Sequence, residues 1–177
     1  VEQFLTHTGS NKISFVALKT ALSFFLFIGV IANSYSQAPN KTIKDSVFEL
    51  GDVVKIPKIA YDLSKGCPIL SYWDSVKVVA SFIEKHTDLR FRIENYTDQR
   101  GSSDKNTLTS KYRARCLAQM LYTFGVDSSM IISVGCGESN PIIPQNTIDK
   151  ALERETKEKL YAINRRTVLK VVSVKGK

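Results

Sequence analysis

Apolar positions along the chain change period several times. Trp73, Val76, Ala80 and Ile83 recur at helical spacing, and soon afterwards the period drops to two: in LRFRIENY, Leu89, Phe91 and Ile93 alternate with Arg90, Arg92 and Glu94. This predicts a helix followed by a strand with its apolar side chains inward and one wet face. The next helix spans roughly 103–124, is capped by Ser102 or Ser103, and stops at Gly125, where a left-handed residue suits a helix end. A short strand at 131–134, a charged helix at about 149–162 and a closing strand at 166–174 complete the run. Upstream, VVKIPKIAY at 53–61 reads as a strand, with Pro57 consigning it to a sheet edge or a bulge because proline cannot donate to a central ladder. The order β-α-β-α-β-α-β predicts an α/β fold, one sheet with helices packed against it, in a single domain over residues 48–174.

The helix after LRFRIENY carries an anomaly. At 100° per residue, Asn106, Ser110 and Arg113 share a stripe with Leu117, Leu121 and Phe124, so one face is polar first and apolar later. Burying an Arg and an Asn costs several kcal/mol unless each finds partners. Either the start of this helix projects into water, or it lines a polar pocket.

The first fifth of the chain looks unlike a core. Lys12 and Lys19 precede an apolar run at 20–32, and Ser34 and Ser36 follow it, which is the order of a secretory signal peptide. We expect a leader over residues 1–36 and a tether over 37–47, the competing reading being an uncleaved anchor that extends back through Phe15 and Leu18. The full chain carries a net charge of +8, and without two Lys and one Glu of the leader it carries +7. Such a balance favours polyanions. In an exported protein those are acidic envelope polymers or lipid headgroups rather than nucleic acid. Cys67, Cys116 and Cys136 form no CxxC pair, and an oxidising compartment allows one disulfide and one thiol, the pairing being open. With only His7 and His86 in the chain, no nucleophile–base pair and no metal cluster is evident, so we assign no catalytic residue, metal or cofactor. Gly135-Cys136-Gly137 lacks the further Gly and the Lys of a phosphate loop.

Three separated segments, IENYTDQRGSSDKNTLTSKYRA (93–114), GVDSSMIISVGCGESNPI (125–142) and NRRTV (164–168), resemble the OmpA-like C-terminal domain, a peptidoglycan-binding module of bacterial envelopes. The resemblance implies a four-stranded mixed sheet packed against helices and a ligand in the diaminopimelate residue of the peptidoglycan stem peptide. It places ligand contacts on Thr97, Asp98, Asn106, Ser110, Arg113 and Arg165. Diaminopimelate ends in an ammonium and a carboxylate on one carbon, which calls for an acceptor-only carboxylate beside a forked donor. Asp98 and Arg113 are the matching pair, and would bridge one another when the site is empty. The sequence departs from the family pattern at Asn95 and Tyr96, where Gly-His is usual, and at Thr109, Cys136 and Tyr161. The implied protein is non-enzymatic, held in the periplasm against the cell wall and outer membrane of a Gram-negative bacterium, with an envelope protein as a further partner. The alternative is a membrane-anchored, wall-gripping subunit of a motor or transport complex.

Overall fold

The computed structural model describes residues 39–62 and 66–174, so the expected leader at 1–36 lies outside the described residues. Among those described, no helix is long and apolar enough to cross a membrane. The elements are β1 (Lys41–Thr42), β2 (Val53–Lys55), α1 (Trp73–Lys85), β3 (Leu89–Tyr96), α2 (Ser103–Thr123), β4 (Ile131–Gly137), α3 (Gln145–Asp149), α4 (Arg154–Asn164) and β5 (Thr167–Val174). The strands form one mixed sheet in the order β1-β2-β5-β3-β4. β1 and β2 are parallel, as are β3 and β4, while β5 runs antiparallel to both of its neighbours.

The α/β layering is as expected, but the sheet has five strands instead of four. The added strand falls in the segment read as a tether. Asn40 pins it: its side chain donates to Asp52 Oδ1 at 2.9 Å and accepts from Val53 N at 2.8 Å. β2 is shorter than the sequence suggested and lies inside the sheet, because it ends at Lys55 and leaves Pro57 out of the ladder altogether. The charged helix expected at 149–162 is two helices, α3 and α4, separated at residues 150–153.

The core lies between the sheet and the apolar faces of α1 and α2. Val76, Val79, Ala80 and Ile83 of α1 and Ala114, Leu117 and Leu121 of α2 bury with Phe91 and Ile93 of β3 and with Leu169 and Val171 of β5. On the opposite face Tyr96, Val53 and Val168 form a smaller cluster with Cys136 against it. Glu94 was expected on a wet face, yet it is only 6% exposed, held by Arg92 Nε at 2.7 Å and by the Tyr96 hydroxyl at 2.7 Å.

Helix α2 has well-defined ends. Ser102 is the cap, its hydroxyl accepting from Lys105 N at 3.4 Å. At the other end Gly125 adopts φ +98°, Gly125 N donates to Tyr122 O, and Val126 N donates to Leu121 O, the two bonds of a Schellman motif. A disulfide joins Cys67 to Cys116 and leaves Cys136 free, resolving the pairing that the sequence left open. With its ends 49 positions apart in sequence, the cross-link removes about 4 kcal/mol of loop-closure entropy from the unfolded chain in the simple polymer picture.

Helix α2 also lies unusually close to β4. A Cβ added to Gly135 would sit 2.1 Å from Lys111 N and 2.4 Å from Lys111 Cα, backbone atoms that cannot turn aside. The Gly-x-Gly segment thus serves helix–strand contact. Gly135→Ala should cost roughly 2–4 kcal/mol by overpacking, whereas Gly51→Ala, where φ is +95° and space is open, should cost only about 1 kcal/mol of backbone strain. Urea unfolding of both variants checks this, and equal costs would show that the approach relaxes freely.

Candidate functional site

The site forms where β3 ends and α2 begins. Thr97 N donates to Gly137 O at 2.8 Å, continuing the strand pairing past Tyr96, and the chain then turns through Gly101 at φ +95° into the Ser102 cap. Asp98 is fixed early in this turn, its Oδ1 accepting from Arg100 N at 3.0 Å. Asn106, one turn into α2, directs its amide nitrogen to Asp98 O at 3.3 Å, to Arg100 O at 3.1 Å and to the Glu138 carboxylate. The buried Asn of the anomalous stripe therefore has partners, and they are the turn itself.

A cavity of about 320 Å³ opens beside this turn, lined by Thr97, Asp98, Arg100, Asn106, Thr109, Arg113 and Arg165. It brings together five of the six residues singled out from the sequence. Ser110 is the exception. It is fully buried away from the cavity, its hydroxyl donating to Thr107 O at 2.9 Å and accepting from Gly137 N at 2.8 Å, so it fastens α2 to the end of β4. Arg100 and Thr109 join the lining unforeseen.

Asp98 does not pair with Arg113. Its salt bridges are with Arg100, Nη2 to Oδ2 at 2.7 Å, and with Arg165, Nη1 to Oδ2 at 2.6 Å. Both guanidinium groups also reach Glu158 on α4, Arg100 Nη1 at 2.9 Å and Arg165 Nη2 at 2.6 Å. Arg100 further lies over the Tyr161 ring, 4.4 Å from its centroid. Arg113 lies over the Tyr61 ring at 5.5 Å, and its Nε, like Thr97 Oγ1, is buried with no hydrogen-bond partner among the described residues. Behind Arg113 and Arg165 a second cavity of about 670 Å³ extends toward Tyr61, whose hydroxyl is 3.0 Å from Thr167 Oγ1.

Support comes from Asn164, fully buried at the end of α4. Its amide donates to Gln99 Oε1 at 2.9 Å and to Ile143 O at 2.8 Å, and accepts from Ile143 N at 2.8 Å, tying the Asp98 turn to the start of Arg165. The next residue, Arg166, turns to the other face of the sheet, 3.6 Å above the Tyr96 ring. Cys136, where the family pattern has an aromatic residue, packs half-buried in the same far-face cluster, and burial pushes its thiol up.

Charge states follow from these contacts. Burial alone would push the Asp98 carboxyl up, but hydrogen bonds from Arg100 and Arg165 outweigh it and hold the group at about 2. Burial pushes the Arg113 guanidinium down from its usual value and the Tyr61 hydroxyl up to about 12. The arrangement offers one ionised carboxylate among three arginines in a small cavity, suited to a ligand bearing an ammonium and a carboxylate together.

The OmpA family matches residues 71–155. Over that stretch, a little under half of its length, the chain is similar to the OmpA family. It is 30% identical over 107 residues to the probable lipoprotein YiaD of Escherichia coli (strain K12), covering 59% of this chain and 49% of that protein. It is also 30% identical over 98 residues to the peptidoglycan-associated lipoprotein of Buchnera aphidicola subsp. Baizongia pistaciae (strain Bp), covering 55% of this chain and 51% of the relative. The chain thus spans about half the length of these relatives. In fold it is similar to the periplasmic domain of Helicobacter pylori MotB, with a TM-score of 0.55 at 17% identity over 72% of this chain and 79% of that one.

The charge state of Asp98 makes a pH prediction. Asp98 titrates at about 2 folded against an ordinary 3.8, so its contribution is fully present above about pH 4 and is lost as pH falls toward 2. Urea midpoints of wild type and Asp98→Asn should differ at pH 5 and converge between pH 4 and 2. A difference that persists unchanged to pH 2 would contradict the ionised, arginine-held carboxylate.

Proposed function

We propose that this chain is an exported envelope protein whose OmpA-family domain holds peptidoglycan non-covalently through the diaminopimelate of the stem peptide. The observation that carries this reading is the buried, ionised Asp98, held by Arg100 and Arg165 and sharing a cavity of about 320 Å³ with Arg113. In this reading Asp98 receives the ligand ammonium and Arg113 its carboxylate, with Arg165 lining the site beside them, and Thr97 Oγ1 and Arg113 Nε are groups for which bound ligand supplies partners. Asn106 shapes the turn and Ser110 anchors the helix. Relatedness to a peptidoglycan-associated lipoprotein supports the ligand class, and the net charge of +8 supports association with an anionic envelope. The protein acts by binding, in the periplasm against the wall and outer membrane, and needs no cofactor; a further envelope protein partner belongs to the same reading.

Removing one member of a desolvated charge pair costs roughly 2–5 kcal/mol, against about 0–1 kcal/mol at an exposed pair. Asp98→Ala and Arg113→Ala should therefore each weaken binding of a diaminopimelate muropeptide by about ten-fold or more, while exposed Lys111→Ala leaves it within about two-fold. Calorimetry measures this, with circular dichroism confirming that each variant folds. Folded Asp98 and Arg113 variants that bind like wild type would refute the assignment.

A further inference from the structure

The Asp98 carboxylate has no vacant acceptor position for a ligand. Oδ1 accepts from Arg100 N at 3.0 Å and Arg100 Nε at 3.2 Å, and Oδ2 accepts from Arg100 Nη2 at 2.7 Å and Arg165 Nη1 at 2.6 Å. A carboxylate offers about four acceptor positions, and two arginines fill them. An ammonium can reach Asp98 only by displacing a guanidinium. Arg165 is held in place, since it directly follows the fully buried and fully hydrogen-bonded Asn164 and leads into β5. Arg100 is the more exposed of the two. Its side chain is 49% exposed, it precedes Gly101, and Glu158 and the Tyr161 ring already hold the far side of its guanidinium.

We propose that Arg100 competes with the ligand for Asp98 and thereby makes the cavity select an ammonium that carries a carboxylate beside it. The inference rests on the peptidoglycan reading and deepens it. A bare ammonium would exchange a forked guanidinium–carboxylate pair for a single point contact, leaving Arg100 with a half-exposed glutamate as its remaining acid. A zwitterionic end restores the balance. Its ammonium takes Asp98, and its carboxylate gives the released Arg100 a new partner alongside Arg113. Charge pairing is thus conserved for diaminopimelate and lost for lysine, whose side chain ends in the ammonium alone. Arg100 acts here as a specificity-determining residue.

The test compares two muropeptides, one with diaminopimelate and one with lysine in the stem, by calorimetry on the full chain. Wild type should prefer the diaminopimelate form by about ten-fold or more. Arg100→Ala should narrow that ratio several-fold, chiefly by strengthening the lysine form. Arg100→Lys, which keeps the charge and loses the fork, should narrow it too, whereas a pure net-charge effect would leave it at the wild-type ratio. Glu158→Gln removes the group that receives Arg100, so it should weaken both muropeptides. If Arg100→Ala weakens both forms equally, or leaves the ratio unchanged, or if Glu158→Gln tightens binding, the competition is refuted while the peptidoglycan reading stands. If wild type binds neither muropeptide, the reading falls and the inference with it.

Discussion

Helix α2 and strand β4 approach so closely that a single methyl group at Gly135 would not fit between them. Much of the site follows from that contact. It brings Ser110 within reach of Gly137 N, and Gly137 in turn holds Thr97 by its carbonyl, so the start of the helix, the end of β4 and the turn after β3 are locked to one another. Were the helix a side-chain layer farther away, Asn106 could not span from α2 to the carbonyls of the Asp98 turn. The polar half of the α2 stripe is therefore satisfied in two ways. Ser110 and Asn106 serve largely construction, and Arg113, whose Nε has no partner among the described residues, is kept for the cavity.

The electrostatics of the cavity are those of an exchange rather than a vacancy. A buried carboxylate without partners would take up a proton to escape the cost of desolvation, and the arginines prevent this by holding Asp98 ionised. That protection occupies the very atoms a ligand would use. Glu158 resolves the conflict from α4, because it touches both arginines and is itself half exposed, so a guanidinium can shift its weight outward without being left in a dry environment. Burial of Arg113 works in the opposite sense. Its guanidinium stays desolvated against Tyr61, which raises the value of any carboxylate that reaches it.

Periodicity made the core legible. The alternation of Leu89, Phe91 and Ile93 and the helical spacing of Val76, Ala80 and Ile83 report directly on burial, and the mixed stripe of α2 marked either a solvated helix end or a polar pocket. What stayed hidden depends on contacts between distant segments. Two residues of β1 are too few to form a pattern, and they join the sheet because Asn40 meets Asp52. Glu94 falls at an outward position of its strand, but Arg92 and Tyr96 cover it. Arg100 sits in a turn, where no period assigns a direction to a side chain, and the family pattern directed attention to Arg113 as the partner of Asp98. Which cysteine pairs with Cys116 likewise depends on where the segment after Tyr61 crosses α2.

Arg165 and Arg166 give the chain a fork. Adjacent in sequence, they serve opposite faces of the sheet, one closing on Asp98 and the other lying over Tyr96. Side chains at a strand alternate with a period of two, so parity decides which guanidinium meets the acid. Inserting one residue between Arg166 and Thr167 would shift both guanidinium groups by one position relative to β5 and exchange their faces. Inserting two would restore the original parity. Along this stretch the length of the chain carries as much information as the identity of its residues.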